Sequence, residues 1–408
     1  MFGVDMLLTV SKRLEFSASR RLFFREWSNA QNLAAFGPET TAAYGTGRNY
    51  VAYFVFSGEV DPATGMLMNI SEIKERVGKV LQDGFDHKFL NEDNPAFAAV
   101  PPTAENVARE LFAAAVPHFK NGQAELVACH LSESEDRSAT FYSSGASEAN
   151  YWFDFSAARQ TMSPQLTDAE NEKLFGPAAS PFGHGHNYRA RLTFPGRDAA
   201  LLSSEFGQIS RCLSSLRNEL DHKNLNREVA GLTHLPVTTE TLARYIYQRV
   251  VESLPITRVR LHERSDFFAE YLDAGTFFLG VRAPFSAAHR LNSEELGTEE
   301  NEALYGKCNN ARGHGHLYVT EATVDGKFDE RSGTLTSFES LQAGIVAALE
   351  PWQNKHLDLE MEQFRGRPST GENIVQSLWP QFDSRLEGRL ARLRLWETAN
   401  NRFTLRKH

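Results

Sequence analysis

The chain repeats one pattern three times, at a spacing of roughly 130 residues. Phe16-Ser17-Ala18-Ser19-Arg20 returns as Phe155-Ser156-Ala157-Ala158-Arg159, and again as Phe285-Ser286-Ala287-Ala288-His289. A second word follows each: GTGRNY at 45–50, GHGHNY at 183–188 and GHGHLY at 313–318. Next come Asp86-His87-Lys88, Asp221-His222-Lys223 and, in the third copy, Gln353-Asn354-Lys355. TAEN at 103–106, TTET at 238–241 and TGEN at 370–373 complete the series. So many matches in one order leave no room for coincidence. Three units of one architecture are expected, at 1–147, 148–273 and 274–408. The junctions near 143–150 and 270–277 are too short for independent beads, so the units should pack together.

Each copy has the same coarse pattern. The segment NYVAYFVFSGEVD alternates apolar with polar or small residues, as a hairpin strand does. ISEIKERVGKVLQDGF and ENVARELFAAAV read as helices, and LVACHL, VRLHER and LRLWET as closing strands. The unit is therefore α+β, an antiparallel sheet with two helices on one face.

The formal net charge of −9 argues against general nucleic-acid binding. No run approaches the roughly 18 apolar residues of a membrane span. The first residues lack the pattern of a secretory leader. Three scattered cysteines, Cys129, Cys212 and Cys308, give no disulfide framework and fit a reducing cytoplasm. Cys129 and Cys212 read as small buried hydrophobes.

The third copy carries the chemistry. His314 and His316 are two apart, so on a strand both imidazoles face one side. His289 lies on the strand expected to pair alongside. Three imidazoles with one open position form a catalytic rather than a structural zinc arrangement. Cys308, six residues before His314, either accepts a proton with its pKa depressed by the metal, or is a buried or ligating thiol.

These residues, FSAAHRL, CNNARGHGH, PSTGEN and a late glutamate, resemble the 6-pyruvoyl-tetrahydropterin synthase and 6-carboxytetrahydropterin synthase family. The resemblance covers essentially the whole chain, as three copies. It implies the tunnelling fold: three fused units forming a pseudo-trimeric twelve-stranded barrel, two of which stack as a homodimer. It implies Zn2+ on His289, His314 and His316, Cys308 as the proton-abstracting group, and Asp–His pairs assisting it. Glu397 and Thr370, and Glu263 in copy two, match pterin-binding positions. The substrate implied is 7,8-dihydroneopterin triphosphate. The product is 6-pyruvoyl-tetrahydropterin, as in tetrahydrobiopterin synthesis, or 6-carboxytetrahydropterin, as in queuosine synthesis. The C-x5-H-G-H spacing resembles the pyruvoyl branch. A pterin- or purine-binding scaffold without catalysis is the alternative of another class.

The copies depart from this pattern unequally. Copy one has Arg20, Thr46 and Arg48 in place of the histidines, and Leu131 is read in place of the glutamate. Copy two keeps His184 and His186 but has Arg159 third, with Ala178 in the cysteine's place. A cation among prospective ligands repels a metal. Copy three lacks the Asp–His pair. A composite site follows as the expectation: metal and thiol from copy three, with Asp221 and His222, or Asp86 and His87, from a sister copy. The arginines are expected to pair with acids such as Glu39.

Overall fold

The computed structural model describes residues 6–120, 122, 124–196 and 199–407. Copy one supplies strands β1 (Met6–Arg20), β2 (Thr46–Gly58), β3 (Ala124–Ser132) and β4 (Arg137–Tyr142). Copy two supplies β5 (Ser147–Arg159), β6 (His184–Pro195), β7 (Arg258–Arg264) and β8 (Phe267–Leu272). Copy three supplies β9 (Phe277–His289), β10 (His314–Val324), β11 (Leu390–Thr398) and β12 (Asn401–Lys407). Each of these strands pairs antiparallel with its neighbours in sequence, and β12 pairs with β1. The result is a closed twelve-stranded barrel, the tunnelling fold, with three short parallel strand pieces outside the ring. Closure leaves no sheet edge in the ring exposed to aggregation.

Two junctions between copies are tight turns, β4 to β5 and β8 to β9. The third is a non-covalent seam, with Met6 opposite Lys407 and Lys12 opposite Asn401.

Period-two patterning sends one face of each strand outward to the helices. Tyr50, Ala52, Phe54 and Phe56 on β2 are all fully buried there. Ile73, Val77, Val80 and Leu81, one stripe of the helix Ile70–Gly84, cover them. Each copy's second long helix starts at the threonine of its T-x-E-N or T-T-E-T word. Thr103, Thr238 and Thr370 are N-caps, accepting from the backbone N–H three residues on.

The bore of the barrel is ionic. Glu321, fully buried, accepts from Arg260, Arg282 and Arg394 at 2.8 Å each. Burial raises its pKa, but the guanidinium ring around it holds it well below the usual carboxylate range.

Candidate active site

In copy three, His289 lies directly opposite His314 in the β9–β10 ladder, and His316 shares its face. Phe285 stacked on Tyr318, rings 4.9 Å apart, pins the two strands beside them. Nδ1 of His289 lies 3.0 Å from the carbonyl of Ser369, so it must be the donor. That leaves the Nε2 lone pair aimed at the site. The Nε2 atoms of His289 and His314 are 3.1 Å apart, and Nε2 of His316 is buried with no partner. One ligand atom from each lies within 4.8 Å of the others. Around a tetrahedral zinc, with bonds of about 2.0–2.1 Å, ring nitrogens stand about 3.4 Å apart. The trio fits a metal with small adjustment. Burial, then the other imidazoles, holds His314 below its ordinary pKa, favouring the neutral form a metal needs.

Glu397 completes the cluster. Its Oε1 lies 3.7 Å from Nε2 of His289 and 3.9 Å from Nε2 of His316. Its Oε2 accepts from Asn401 at 3.0 Å. Lys12, from across the seam, donates to Asn401 at 2.8 Å. Cys308 is half-buried and free. Burial, then the Glu397 carboxylate, pushes its thiol up. The depressed value expected for it therefore depends on a bound cation, whose charge acts the other way.

Copy one closes the rear of this site. Thr370 donates to the carbonyl of Gly65 at 2.5 Å, and buried Glu372 accepts from Leu67 N at 3.0 Å. Thr370 is thereby committed to the helix cap and the inter-copy clamp. Copy two is clamped by copy three in the same way: Thr238 to Gly333 at 2.5 Å, and Glu240 to Leu335 N at 3.1 Å. This clamp was not read from the T-x-E-N words, although a glutamate two places after a cap threonine was its signal.

The Asp–His pairs are each anchored within their own copy. Asp86 accepts from Ser17 N at 2.9 Å and Asp221 from Ser156 N at 2.7 Å, each on its own copy's first strand. His87 and His222 lie 3.0 and 2.9 Å from those aspartates and are 84% and 83% exposed. Both, like Asn354 in copy three, adopt positive φ near 60°, strained for residues with a Cβ.

Copy two holds a different arrangement at the equivalent place. Arg159 reaches Glu263 at 2.5 Å and also touches Thr239; His186 donates to Glu263 at 2.9 Å. Burial raises the Glu263 pKa, but Arg159, then the His186 and Thr239 hydrogen bonds, hold it well below the usual range. Burial and Arg159 lower His184 to about 4, so it is neutral near pH 7.

Copy one corrects the sequence alignment. Val51 pairs with Ser132, as Arg189 pairs with His262, so Glu133 and not Leu131 is equivalent to Glu263 and Glu397. The matching frame is LSE, LHE and LWE; the residues after it in copy one obscured it. Glu133 meets buried Arg20 at 2.8 Å. Glu39 contacts both Arg48 and Arg20, the latter at 3.8 Å, as expected of the arginines.

Among the described residues, no helix is long and apolar enough to cross a membrane. A relative from Drosophila melanogaster, a 6-pyruvoyl tetrahydrobiopterin synthase, is 37% identical over 132 residues, covering 32% of this chain and 79% of the relative. The Homo sapiens protein of that name is 38% identical over 122 residues, covering 29% of this chain and 84% of the relative. The solved structure of Caenorhabditis elegans 6-pyruvoyl tetrahydropterin synthase matches at 33% identity and a TM-score of 0.31, over 32% of this chain and 95% of that one. The family model for 6-pyruvoyl tetrahydropterin synthase matches three times, at residues 9–144, 149–274 and 279–408. Three successive matches spanning nearly the whole chain show that it belongs to the 6-pyruvoyl tetrahydropterin synthase family, as a lyase of that kind carrying three fused copies of the unit.

Proposed function

We propose that copy three is a zinc centre converting 7,8-dihydroneopterin triphosphate to 6-pyruvoyl-tetrahydropterin and triphosphate. The observation that carries this is the convergence of three imidazole nitrogens beside the Glu397 carboxylate. His289, His314 and His316 would hold the ion, with Ser369 fixing the tautomer of the first. The ion, when bound, supplies positive charge to side-chain oxygens of the substrate as they gain electron density. Glu397 accepts from the N–H groups of the 2-amino-4-oxo edge, with Asn401 and Lys12 orienting it. Cys308 takes the proton from the adjacent side-chain carbon.

The acid–base pair is best supplied by a second chain. Within one chain, what copy one brings towards this site is Lys12 and the Gly65–Leu67 loop, while His87 and His222 stand exposed near the barrel's end. Tyr44 and Phe182, in equivalent loops there, are 91% and 97% exposed, as a stacking face would be in a lone barrel. The domain limits 1–147, 148–273 and 274–408, and a cytoplasmic location, belong to the same reading.

The test is incubation of purified chain with dihydroneopterin triphosphate. Triphosphate without acetaldehyde is expected. Acetaldehyde as well means the carboxy product, and neither, with metal bound, means a binder.

A further inference from the structure

Copy two contains a cavity of about 340 Å3 between its own residues and the Thr334–Glu339 segment of copy three. Copy one underwent the same replacement of a histidine by a glutamate-paired arginine, yet its equivalent space is only about 30 Å3. The difference is physical. In copy one Glu39 reaches Arg20 and Arg48, whereas the small Ala178 stands at that position in copy two and both histidines remain. Replacement of that histidine by arginine alone therefore does not leave a cavity. A cavity of roughly 300 Å3 or more is of small-molecule size.

Its lining has two parts. Phe175, Phe267, Phe338 and Leu279 provide apolar walls. Arg159, His184 and Thr161 provide polar groups whose needs are unmet. Arg159 is 3% exposed, and its Nε and Nη1 are buried with no partner. Both ring nitrogens of His184 and the hydroxyl of Thr161 are in the same state. Buried donors left unpaired are costly, and three residues of one cavity share that condition. The remaining Arg159 nitrogen is engaged by Glu263 and Thr239, which fixes the guanidinium in place.

The polarity is the reverse of copy three's. Both oxygens of Glu263 already accept, from His186, Arg159 and Thr239, so this carboxylate is largely committed within the pocket. The unpartnered buried groups of the lining are those of Arg159, His184 and Thr161; Glu240 and Glu339 line it as well. We infer that the copy-two pocket is a second, non-catalytic binding site for a flat bicyclic heteroaromatic molecule that presents an acceptor edge, a carboxylate above all, to Arg159. The apolar walls take the rings, and the free guanidinium nitrogens take the carboxylate.

The test is calorimetric titration of the full chain with quinoline-2-carboxylate, which carries the rings and the carboxylate but no 2-amino-4-oxo edge. One saturable site per chain is expected. Ala178→Phe fills the space while leaving Arg159 itself unsubstituted, and should abolish binding while turnover at copy three persists. Arg159→Lys keeps the charge opposite Glu263 but removes the planar donor pair, and should weaken binding about tenfold or more. No uptake by the wild-type chain overturns the inference. So does undiminished binding in Ala178→Phe or, where that variant does not fold, in Arg159→Lys. The outcome is independent of whether copy three makes a pyruvoyl product.

Discussion

Copies two and three keep the same two histidines on the same strand, two residues apart, facing the same glutamate. One residue separates their sets of prospective metal ligands. With His289 as the third group, the cluster presents neutral lone pairs to a shared point. With Arg159 there, the guanidinium pairs with the glutamate beside His184 and His186. The comparison teaches that this glutamate takes an arginine as its partner in both copies where the third imidazole is replaced. A ring of three identical subunits would receive any such replacement threefold. Fusion lets one pocket keep the metal while the others change.

The strongest way to break the comparison is to remove the metal. Chelation, or His314→Ala, should lower metal content from about one ion per chain to none. Turnover should fall with it by about 10³-fold or more, since a Lewis-acid ion contributes several kcal/mol. Three ions per chain in the untreated protein would end the idea that copies one and two are metal-free.

Next in size is the thiol. Cys308→Ala should cut turnover about 10²–10³-fold, the range of a lost general base, with metal content unchanged. Loss of the metal as well would mean that the sulfur is a ligand.

The exchange of the distinguishing residue sharpens the contrast. Arg159→His should bring metal content towards two ions per chain. The reverse change, His289→Arg, should abolish metal binding yet cost only about 1–3 kcal/mol of stability, because Glu397 can pair with the arginine. Failure of the first leaves the glutamate-filled geometry of copy two as the barrier.

The smallest effect concerns the clamps. Burial raises Glu372 to about 7, whereas in the unfolded chain it titrates near its model value of 4.5. The folded state therefore binds the extra proton between those values, and stability falls as pH rises through that window. Glu240, equivalent in copy two, is raised for the same reason. Glu372→Gln should shrink the difference between the urea midpoints at pH 5 and pH 8 without removing it, since Glu240 remains.

Much of this was legible in the sequence because repetition supplies its own alignment. The strand words carried the barrel, and the H-x-H spacing with His289 carried the cluster. Glu133 was misread because sequence identity fades in the closing strand, and only the ladder register restores the frame. The clamp from Gly65 and Leu67 to Thr370 and Glu372 was not legible, because it joins residues 305 apart through backbone groups that leave no mark on composition. Lys12 was missed for the same reason: it reaches Asn401 only because the barrel closes.

That closure has a kinetic consequence. Two of the three junctions are turns of a few residues, cheap to form, but the seam joins residues 389 apart. Loop-closure entropy and high contact order make such pairing a slow, late event. The copy-three site lies across the seam, clamped by copy one, whereas the copy-two cavity lies across a covalent turn. On refolding, the cavity should form before the metal site is complete, and catalytic activity should be the last property of the native chain to return.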